Sequence, residues 1–501
     1  MFELRNIEPR EFQLSILETC KNNNTLVVLP TGIGKTLISL LLALERLNKF
    51  PESKILILSP SKPLSQQHIN TFKQNTNINE SEILLLTGAI KADKRKELWQ
   101  NAKVVIATPQ TIQKDLENNR INLKDFSLLV IDEAHHSRQN FANTHVAKSY
   151  FEHALNQRIL ALTASPGGTL DKIKDVMKNL NLDAVEIRSE TDFDVRNYVQ
   201  KREIEMIEIN LQEELKDLHS KIKNVYLNKV QDLHKIGFNK PSNLINKKDL
   251  LLLQQQLRAK LNLGDKSSFY GISLTAQLLK LDYMLELLEI QGLKPLVKFF
   301  EKLKEDKSKA AGIILNNKEI KEAIDNANKL ISNNIEHPKF EKLKEIILDE
   351  IKINPGIKII VFANYRDTVD EILNLLKKFD VKCMKLIGQK SGLTQKQQIN
   401  AIKEFEESDL NVLACTQVAE EGLNLLGGKI VVFFEAIPSE LRLVQRMGRV
   451  ARLQAGKIIF LITKNTRDEA YFWSSYQKKK KMKKTLYGLK EKNINEFLSE
   501  K

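Results

Sequence analysis

Short, unbroken apolar runs alternate with longer amphipathic stretches between residue 25 and about residue 190. The runs lie at 55–58, 83–86, 104–106, 128–131 and 159–162. Because every position in them is apolar, instead of every second one, they are typical of strands that are buried on both faces. The pattern predicts a doubly wound parallel α/β sheet, in which ligands bind beyond the carboxyl ends of the strands.

Between about residues 200 and 335 the apolar residues fall at helical spacing. Leu215, Leu218 and Ile222 form one such series, with Lys, Glu and Gln between the apolar positions. A single strand-like piece, at 204–211, precedes them. Apolar pairs such as Phe299-Phe300 need a core. We therefore predict a packed helical domain and not a solvated coiled-coil spacer.

A second pattern of buried strands and helices begins near residue 336. Its strand-like runs lie at 357–362, 381–387, 410–414, 430–434 and 458–462, with helical patterns at 367–379 and 395–405. The predicted organisation is a first α/β domain over 1–195, a helical insert over 196–335, a second α/β domain over 336–475 and a basic tail over 476–501. The lysine run in that tail is typical of a solvated helix face.

Composition narrows the class of protein. No apolar stretch is long enough to cross a bilayer and no signal peptide is recognisable at residues 1–5, so we expect a cytoplasmic protein without a membrane partner. The three cysteines are far apart, which argues against a disulfide framework or a zinc knuckle. A net charge of +15 favours a polyanionic partner such as nucleic acid over a lysine-rich composition that reflects only genome composition or solubility.

Candidate chemistry begins at 26–36, where an apolar run passes through a turn into a helical pattern. Gly32 and Gly34 allow backbone N–H groups to point inward at a helix N-terminus, where an anion is stabilised. Lys35 can reach the outer phosphates of a nucleotide, and the Thr36 hydroxyl can ligate Mg²⁺. The generic phosphate-loop pattern has a glycine where this chain has Leu29, so an ordinary strand-to-helix turn is the alternative.

Two acidic residues strengthen the nucleotide interpretation. Asp132 and Glu133 directly follow the apolar run at 128–131. At that edge of the sheet one carboxylate can hold Mg²⁺ and the next can activate a water molecule. Each carboxylate alone would be a strand-end charge, but together with Lys35 and Thr36 they favour nucleotide hydrolysis.

The second α/β pattern supplies a complementary set of side chains. On a helix, Gln445, Arg449 and Arg452 lie on one face, since separations of three and four residues bring side chains together. Two arginines and an amide suit a γ-phosphate that is presented across a cleft, as an arginine finger does. A surface ion pair is the alternative for any single arginine.

Taken in order, four segments resemble motifs I, II, III and VI of superfamily 2 helicases of the DEAH-box class: 31–36, 132–135, 163–165 and 445–452. The helicase form of the phosphate loop does not require the first glycine. Further segments resemble the upstream adenine-reading motif and motifs Ia, Ib, IV and V: Arg10 with Gln13, 59–64, 107–110, 361–366 and 416–425. Over nearly its whole length the chain is similar to the archaeal Hef helicase family and its FANCM-type relatives.

This resemblance implies two RecA-like parallel-sheet motor domains with an all-helical insert domain between them, and ATP with Mg²⁺ bound between the motors. It implies nucleotide contacts from Arg10, Gln13, Pro30, Thr31, Gly32, Ile33, Gly34, Lys35, Thr36, His135 and Gly422. The metal ligands would be Thr36 and Asp132. Lys35, Asp132, Glu133, Gln445, Arg449 and Arg452 would form the catalytic set, with Glu133 activating water and the arginines stabilising the transition state.

The resemblance also implies a nucleic-acid path and a relay. Backbone contacts would come from Lys62, Thr87, Gln110, Tyr365, Arg366, Gln389 and Thr416, and Thr163 with Ser165 would relay domain closure. The insert would clasp duplex arms, which implies a nucleoid-associated DNA helicase or translocase that acts on forks and Holliday junctions. RNA-sensing relatives share this architecture, so a double-stranded RNA translocase or RNA-sensing ATPase stays open, as does a nucleotide-gated DNA-binding clamp.

Two departures from the family pattern affect these expectations. Ala451 stands where motif VI usually has a glycine, but a helix tolerates a methyl group and we retain both arginines. Hef proteins often carry a C-terminal nuclease, and the residues after Lys484 contain no acidic metal site of that kind. We therefore expect the motor alone, with any nuclease acting from a partner chain.

Overall fold

The computed structural model describes residues 1–138, 141–167, 170–199, 203–387, 395–416, 428–436 and 456–491. Within these ranges the strands form two parallel sheets, and a bundle of helices lies between them in the chain. This confirms the predicted class of two parallel-sheet domains around a helical insert. None of the described helices is long and apolar enough to cross a membrane.

The first domain carries an all-parallel sheet. Its strands are β1 (Thr25–Val28), β2 (Lys54–Leu58), β3 (Ile83–Leu86), β4 (Val104–Ala107), β5 (Phe126–Ile131), β6 (Ile159–Thr163) and β7 (Ala184–Ile187), in the order β3-β4-β2-β5-β6-β1-β7. Its helices are α1 (Glu11–Asn22), α2 (Lys35–Lys49), α3 (Lys62–Asn75), α4 (Ala92–Asn101), α5 (Pro109–Glu117), α6 (Ala142–His153) and α7 (Leu170–Asn179). The five predicted strands are confirmed to within two residues at either end.

Helices cover both faces of this sheet. Leu56 and Leu129, on neighbouring strands, pack with Tyr150 of α6 on one face. Ile57 and Val130 pack with apolar residues of α2 on the other. All five side chains are fully buried. The apolar runs are unbroken because successive residues of each strand face opposite sides, and both sides exclude water.

The insert is a bundle of α8 (Glu213–Lys235), α9 (Lys247–Asn262), α10 (Ser268–Glu286), a π-helix (Leu287–Gln291), α11 (Leu293–Glu305), α12 (Lys309–Asn316) and α13 (Lys318–Ser332). Leu218 and Ile222 of α8 pack with Leu278 of α10 and Phe300 of α11 in one buried core. The apolar residues at helical spacing are therefore the ones that form the core of the bundle. The hydrogen bonds of a π-helix join residues five apart instead of four. Such π-bulges occur frequently at functional sites.

The second sheet domain contains α14 (Pro338–Ile353), β9 (Ile359–Phe362), α15 (Arg366–Lys377), β10 (Cys383–Leu386), α16 (Gln395–Glu407), β11 (Val412–Cys415), β12 (Ile430–Phe433), β13 (Lys457–Thr463) and α17 (Arg467–Glu491). A further strand, β8 (Glu203–Ile209), comes from the start of the insert. The order β10-β11-β9-β12-β13-β8 is parallel throughout.

Two segments differ from the predicted organisation. The strand β8 lies within 196–335, yet it pairs with β13 from Glu203 opposite Lys457 to Ile209 opposite Thr463, as the edge of the second sheet. Exposure alternates along it, with Ile204, Met206 and Glu208 exposed and Ile209 buried, as in an edge strand with one wet face. The predicted tail over 476–501 is, as far as Glu491, a continuation of α17, because the apolar Met482 inside the lysine run is buried against the first domain.

Candidate active site

The loop between β1 and α2 has the geometry of a phosphate cradle. Gly32 and Gly34 have φ values of +86° and +97°, in the left-handed region that favours glycine. A Cβ atom on Gly34 would clash with the Nε2 atom of Gln13, so a side chain there would displace Gln13 from the loop. The helix α2 begins at Lys35, which directs the N–H groups of its first turn toward the loop. These features fit the phosphates of ATP.

Gln13 connects the upstream motif to this loop. Its side chain is 1% exposed. Its Nε2 donates to the carbonyl oxygen of Ile33 at 3.2 Å, and its Oε1 accepts the N–H of Arg10 at 2.8 Å. The guanidinium of Arg10 lies over the ring of Tyr198, 4.5 Å from its centre. The two residues predicted to contact adenine therefore lie at the phosphate loop, and their contact with adenine stays a prediction.

Lys35 lies across the loop. Its Nζ donates to the carbonyl oxygen of Leu29 at 3.5 Å. Leu29 in turn is tied to the sheet, because its N–H donates to the Thr163 carbonyl oxygen at 3.1 Å. The ammonium group and the half-buried Thr36 hydroxyl thus stand at the carboxyl end of β1, where the sequence places them for phosphate and Mg²⁺.

Both carboxylate oxygens of Asp132 are held by hydrogen bonds. The Oδ1 atom accepts the N–H of Glu133 at 2.9 Å, and Oδ2 accepts a bond from His68 Nε2 at 2.9 Å. His68 is on α3 and is 3% exposed. Carboxylates that ligate metals are commonly oriented in this way by a second partner, so the pair fits a Mg²⁺ ligand. Sequence reasoning missed His68, since a lone histidine on a helix carries no signal of its own.

Glu133, His135 and Thr163 form a continuous set of contacts. Glu133 has a φ of +50°, a costly conformation for a residue other than glycine and one that clusters at active sites. The His135 Nδ1 atom lies 3.3 Å from Glu133 Oε2 and 3.2 Å from Thr163 Oγ1. Thr163 Oγ1 also accepts the N–H of Ser165 at 3.1 Å. The predicted relay residues are therefore connected to the predicted catalytic carboxylate through His135.

The sheet order explains why these groups meet. The strand β1 pairs with β6, and β6 pairs with β5. The phosphate loop, Thr163 and Asp132 follow these three strands at one edge of the sheet. Asp132 and Thr36 thus provide oxygen donors of the kind that Mg²⁺ prefers.

Three candidate nucleic-acid contacts of the first domain lie along the same edge. Lys62, Thr87 and Gln110 follow β2, β3 and β4, which are neighbours in the sheet. Lys62 and Gln110 are exposed, whereas Thr87 is buried. The structure therefore groups these residues beside the nucleotide residues and leaves two of the three open to a ligand.

On the second domain, Tyr365 and Arg366 follow β9, and Thr416 follows the adjacent β11. Thr416 is buried and Arg366 is exposed. The hydroxyl of Tyr365 donates to Glu286 Oε1 of α10 at 3.2 Å, and burial together with that carboxylate raises the pKa of Tyr365. Tyr365 thus faces the helical domain. Gln389, Gly422, Gln445, Arg449 and Arg452 lie outside the described residues, and their roles stay predictions.

Family comparisons agree with this architecture. Residues 10–173 match the DEAD/DEAH box helicase family, and residues 338–454 match the helicase conserved C-terminal domain. Residues 213–334 match a helical bundle described for a putative ATP-dependent RNA helicase. The three matches follow the order of the two sheet domains and the bundle between them.

Individual relatives extend over most of the chain. A putative ATP-dependent RNA helicase of Methanocaldococcus jannaschii is 37% identical over 96% of this chain and 61% of its own length. An ATP-dependent DNA helicase of Schizosaccharomyces pombe is 30% identical over 92% of this chain and 57% of its own length. The chain therefore spans about three fifths of these relatives.

A solved structure covers the same region. The Hef helicase domain of Pyrococcus furiosus is 39% identical, with a TM-score of 0.76 over 93% of this chain and 98% of that one. At this identity and coverage the fold and the family agree with the motifs read from the sequence. The chain belongs to the superfamily 2 ATP-dependent helicases of the Hef and FANCM type.

Proposed function

We propose that this chain is an ATP-driven DNA helicase or translocase that acts on branched DNA, such as forks and Holliday junctions, in replication-fork repair. The observation that carries the proposal is α3, which begins at Lys62 and bonds Asp132 through His68 six residues later. One rigid helix thereby connects an exposed cation at the nucleic-acid edge to the carboxylate of the metal site. Such an element supports nucleotide hydrolysis that depends on a bound strand.

In this proposal Lys35 and the loop N–H groups bind the phosphates of ATP, and Thr36 with Asp132 hold Mg²⁺, which neutralises phosphate charge when bound. Glu133 takes a proton from the water that attacks the γ-phosphorus, while the bond to the leaving oxygen of ADP breaks. When Glu133 takes up the proton, His135 and Thr163 transmit the altered hydrogen bonding of its carboxylate to Ser165. Arg449 and Arg452 of the second motor stabilise the charge that develops.

Closure and opening of the motors would move the strand. ATP bridges the two sheet domains and its hydrolysis releases the bridge, so each cycle alternates between two states of the cleft. The positive net charge supports binding to a polyanion. Support for DNA comes from the Schizosaccharomyces pombe relative, which is described as a DNA helicase.

RNA is the second candidate substrate. The Methanocaldococcus jannaschii relative and the helical-bundle family both carry RNA in their descriptions. ATPase rates measured with single-stranded, duplex, forked and four-way DNA and with matched RNA, over a salt series, separate the two. We expect forked and four-way DNA to give the greatest stimulation. Greater stimulation by duplex RNA would overturn the choice of DNA.

The Glu133→Gln variant separates a motor from a nucleotide-gated clamp. Loss of the general base should lower the ATPase rate at least about 100-fold and leave binding of forked DNA intact. Glu117→Gln, at an exposed position on α5, is the matched control and should keep the wild-type rate. A wild-type rate in Glu133→Gln would support the clamp.

A further inference from the structure

A groove of about 380 Å³ lies where the helical bundle meets the second sheet domain. Its walls come from α10, the π-helix, α11 and the start of α15, and we call it the junction groove. The volume is within the range of sites that hold small planar ligands. The groove lies apart from the phosphate loop and next to Tyr365 and Arg366, two of the candidate contacts on the nucleic-acid path.

Three aromatic side chains line the junction groove: Tyr283, Phe299 and Tyr365. Tyr283 and Phe299 form an edge-to-face pair with ring centres 5.0 Å apart and an angle of 83°. The hydroxyl of Tyr365 is bonded to Glu286, which fixes the orientation of the third ring. All three rings are only half-buried, so apolar ring surface remains available for stacking against a planar ligand.

Gln291 supplies an amide donor to the same groove. It is the last residue of the π-helix, it lines the groove and it is 3% exposed. Its Nε2 atom has no hydrogen-bond partner within the part of the chain that the structure describes. Buried polar groups are nearly always satisfied, so an unmet donor at a cavity wall indicates a missing acceptor. The edges of nucleobases carry such acceptors.

Cations lie around the rim. Lys298, Lys302 and Arg366 line the groove and are exposed. Lys298 pairs with Asp367, an acidic residue of the lining, at 2.8 Å, and the pair is neutral. Lys302 and Arg366 thus leave the rim positive. Aromatic stacking surface beside positive charge is the combination by which proteins hold single-stranded nucleic acid.

We propose that the junction groove binds one unstacked nucleobase of the strand that runs over the second motor. The base stacks on Tyr283 and Phe299, its edge accepts a hydrogen bond from Gln291, and the flanking phosphates contact Lys302 and Arg366. This inference rests on the proposed function, since it requires a strand on the motor. It adds a base contact to a path for which the sequence predicts backbone contacts alone.

Photocrosslinking of the full chain tests the inference. Forked DNA with 5-iododeoxyuridine in its single-stranded arm is bound, irradiated and digested, and the crosslinked peptides are mapped by mass spectrometry. We expect crosslinks at Tyr283, Phe299 or Tyr365. Crosslinks confined to other parts of the chain, with ATPase still stimulated by the fork, would overturn the inference and leave the proposed function standing. Absence of any DNA binding or stimulation would overturn both.

Affinity measurements provide a matched pair of variants. Tyr283→Leu should weaken binding of a single-stranded oligonucleotide about 5- to 100-fold, the loss expected for one stacked base. Tyr270→Leu is the control, because Tyr270 lies on the same helix, is exposed and does not line the groove. Equal affinities for the two variants would contradict the inference.

Gln291→Leu distinguishes lost binding from lost folding. The substitution removes a buried amide nitrogen that has no hydrogen-bond partner among the described residues, so the melting temperature should stay the same or rise. Binding of the oligonucleotide should nevertheless weaken at least about 3-fold, the order expected for one lost hydrogen bond. Unchanged affinity in a variant with a wild-type melting temperature would count against the amide contact and overturn the groove as a base site.

Discussion

The two ends of α17 are attached to the rest of the molecule by different kinds of contact. At its start, Asp468 and Lys339 are fully buried and form an ion pair of 2.6 Å. Asp468 also accepts the N–H groups of Ala436 and Thr463 at 2.8 and 2.9 Å. This end is a polar anchor inside the second sheet domain.

The same end is joined to the helical bundle. The N–H of Arg467 donates to Glu289 Oε2 of the π-helix at 2.8 Å, and its guanidinium pairs with Asp282 at 2.8 Å. Burial alone would raise the pKa of Glu289, but the bond from His219 and the charge of Arg467 lower it. Glu289 is therefore held as a carboxylate that binds the bundle to the second sheet domain.

The far end of α17 contacts the first domain through an apolar side chain and exposed or half-buried polar groups. Met482 is buried in the core of that domain, and the hydroxyl of Ser165 lies 3.0 Å from its sulfur. Nearby, the Tyr487 hydroxyl donates to the carboxylate of Asp192 at 2.7 Å. A cavity of about 200 Å³ separates this end of the helix from the phosphate loop. The far end of α17 is thus joined to the first domain mainly by the burial of Met482, whereas its first turn is held by a buried ion pair.

Asp468→Ala should break the polar anchor and have the largest effect. It leaves the Lys339 ammonium buried without its counter-charge and two N–H groups without an acceptor. The expected cost is about 3–5 kcal/mol of unfolding free energy, measured by denaturant titration. Asp409→Ala, which breaks the exposed pair with Lys382, is the control and should change the unfolding free energy far less. Equal losses would mean that the buried pair anchors nothing.

Met482→Ala should break the far contact without unfolding the molecule. Truncation of a buried methionine to alanine lowers stability by about 2 kcal/mol. Because Met482 joins only the end of α17 to the first domain, we expect the loss to weaken the docking of that end and not the folding of the whole molecule. Hydrogen exchange should speed up in the last turns of α17 and stay unchanged in its first turns. Lys480→Ala, at an exposed position on the same helix, should change neither. Faster exchange along the whole helix would contradict the contrast between the two ends.

The sequence predicted the features that depend on neighbouring residues. Unbroken apolar runs gave the strands. Asp132 and Glu133 were found because they directly follow such a run, and Lys35 and Thr36 because they follow the glycine-containing turn after another. A positive φ was foreseeable at Gly32 and Gly34, since glycine tolerates it.

What the sequence missed depends on residues that are far apart along the chain. His68 bonds a carboxylate 64 positions away, and nothing near it marks that partner. The strand-like piece at 204–211 was predicted, but nothing near it indicates that it joins the second sheet. Met482 lies among lysines in the sequence, so the local hydropathy predicts that it faces solvent. In the structure its neighbours are apolar residues of the first domain.

The smallest expected effect concerns the carboxyl of Glu371, which lies on α15 near the junction between the bundle and the second sheet domain. Burial raises the pKa of its carboxyl from 4.5 to about 7, with Lys294 and Lys298 of α11 opposing the shift and Glu336 and Asp367 adding to it. The folded state therefore binds the proton more tightly than the unfolded chain does. The contribution of the Glu371 carboxyl to the free energy of unfolding is therefore complete below about pH 4.5 and is lost as the pH rises to about 7.

Glu371→Gln should remove this pH dependence. Because the carboxyl is partly exposed, we expect the variant to be more stable than the wild type by about 1–2 kcal/mol at pH 8 and nearly equal to it at pH 4.5. Asp370→Asn, at the exposed neighbouring position, is the control for the loss of one charge. Melting temperatures between pH 4.5 and 8 provide the measurement. Parallel curves for the wild type and Glu371→Gln would mean that the pKa of this carboxyl is the same in the folded and unfolded states, and that the attachment of the bundle does not depend on pH at this position.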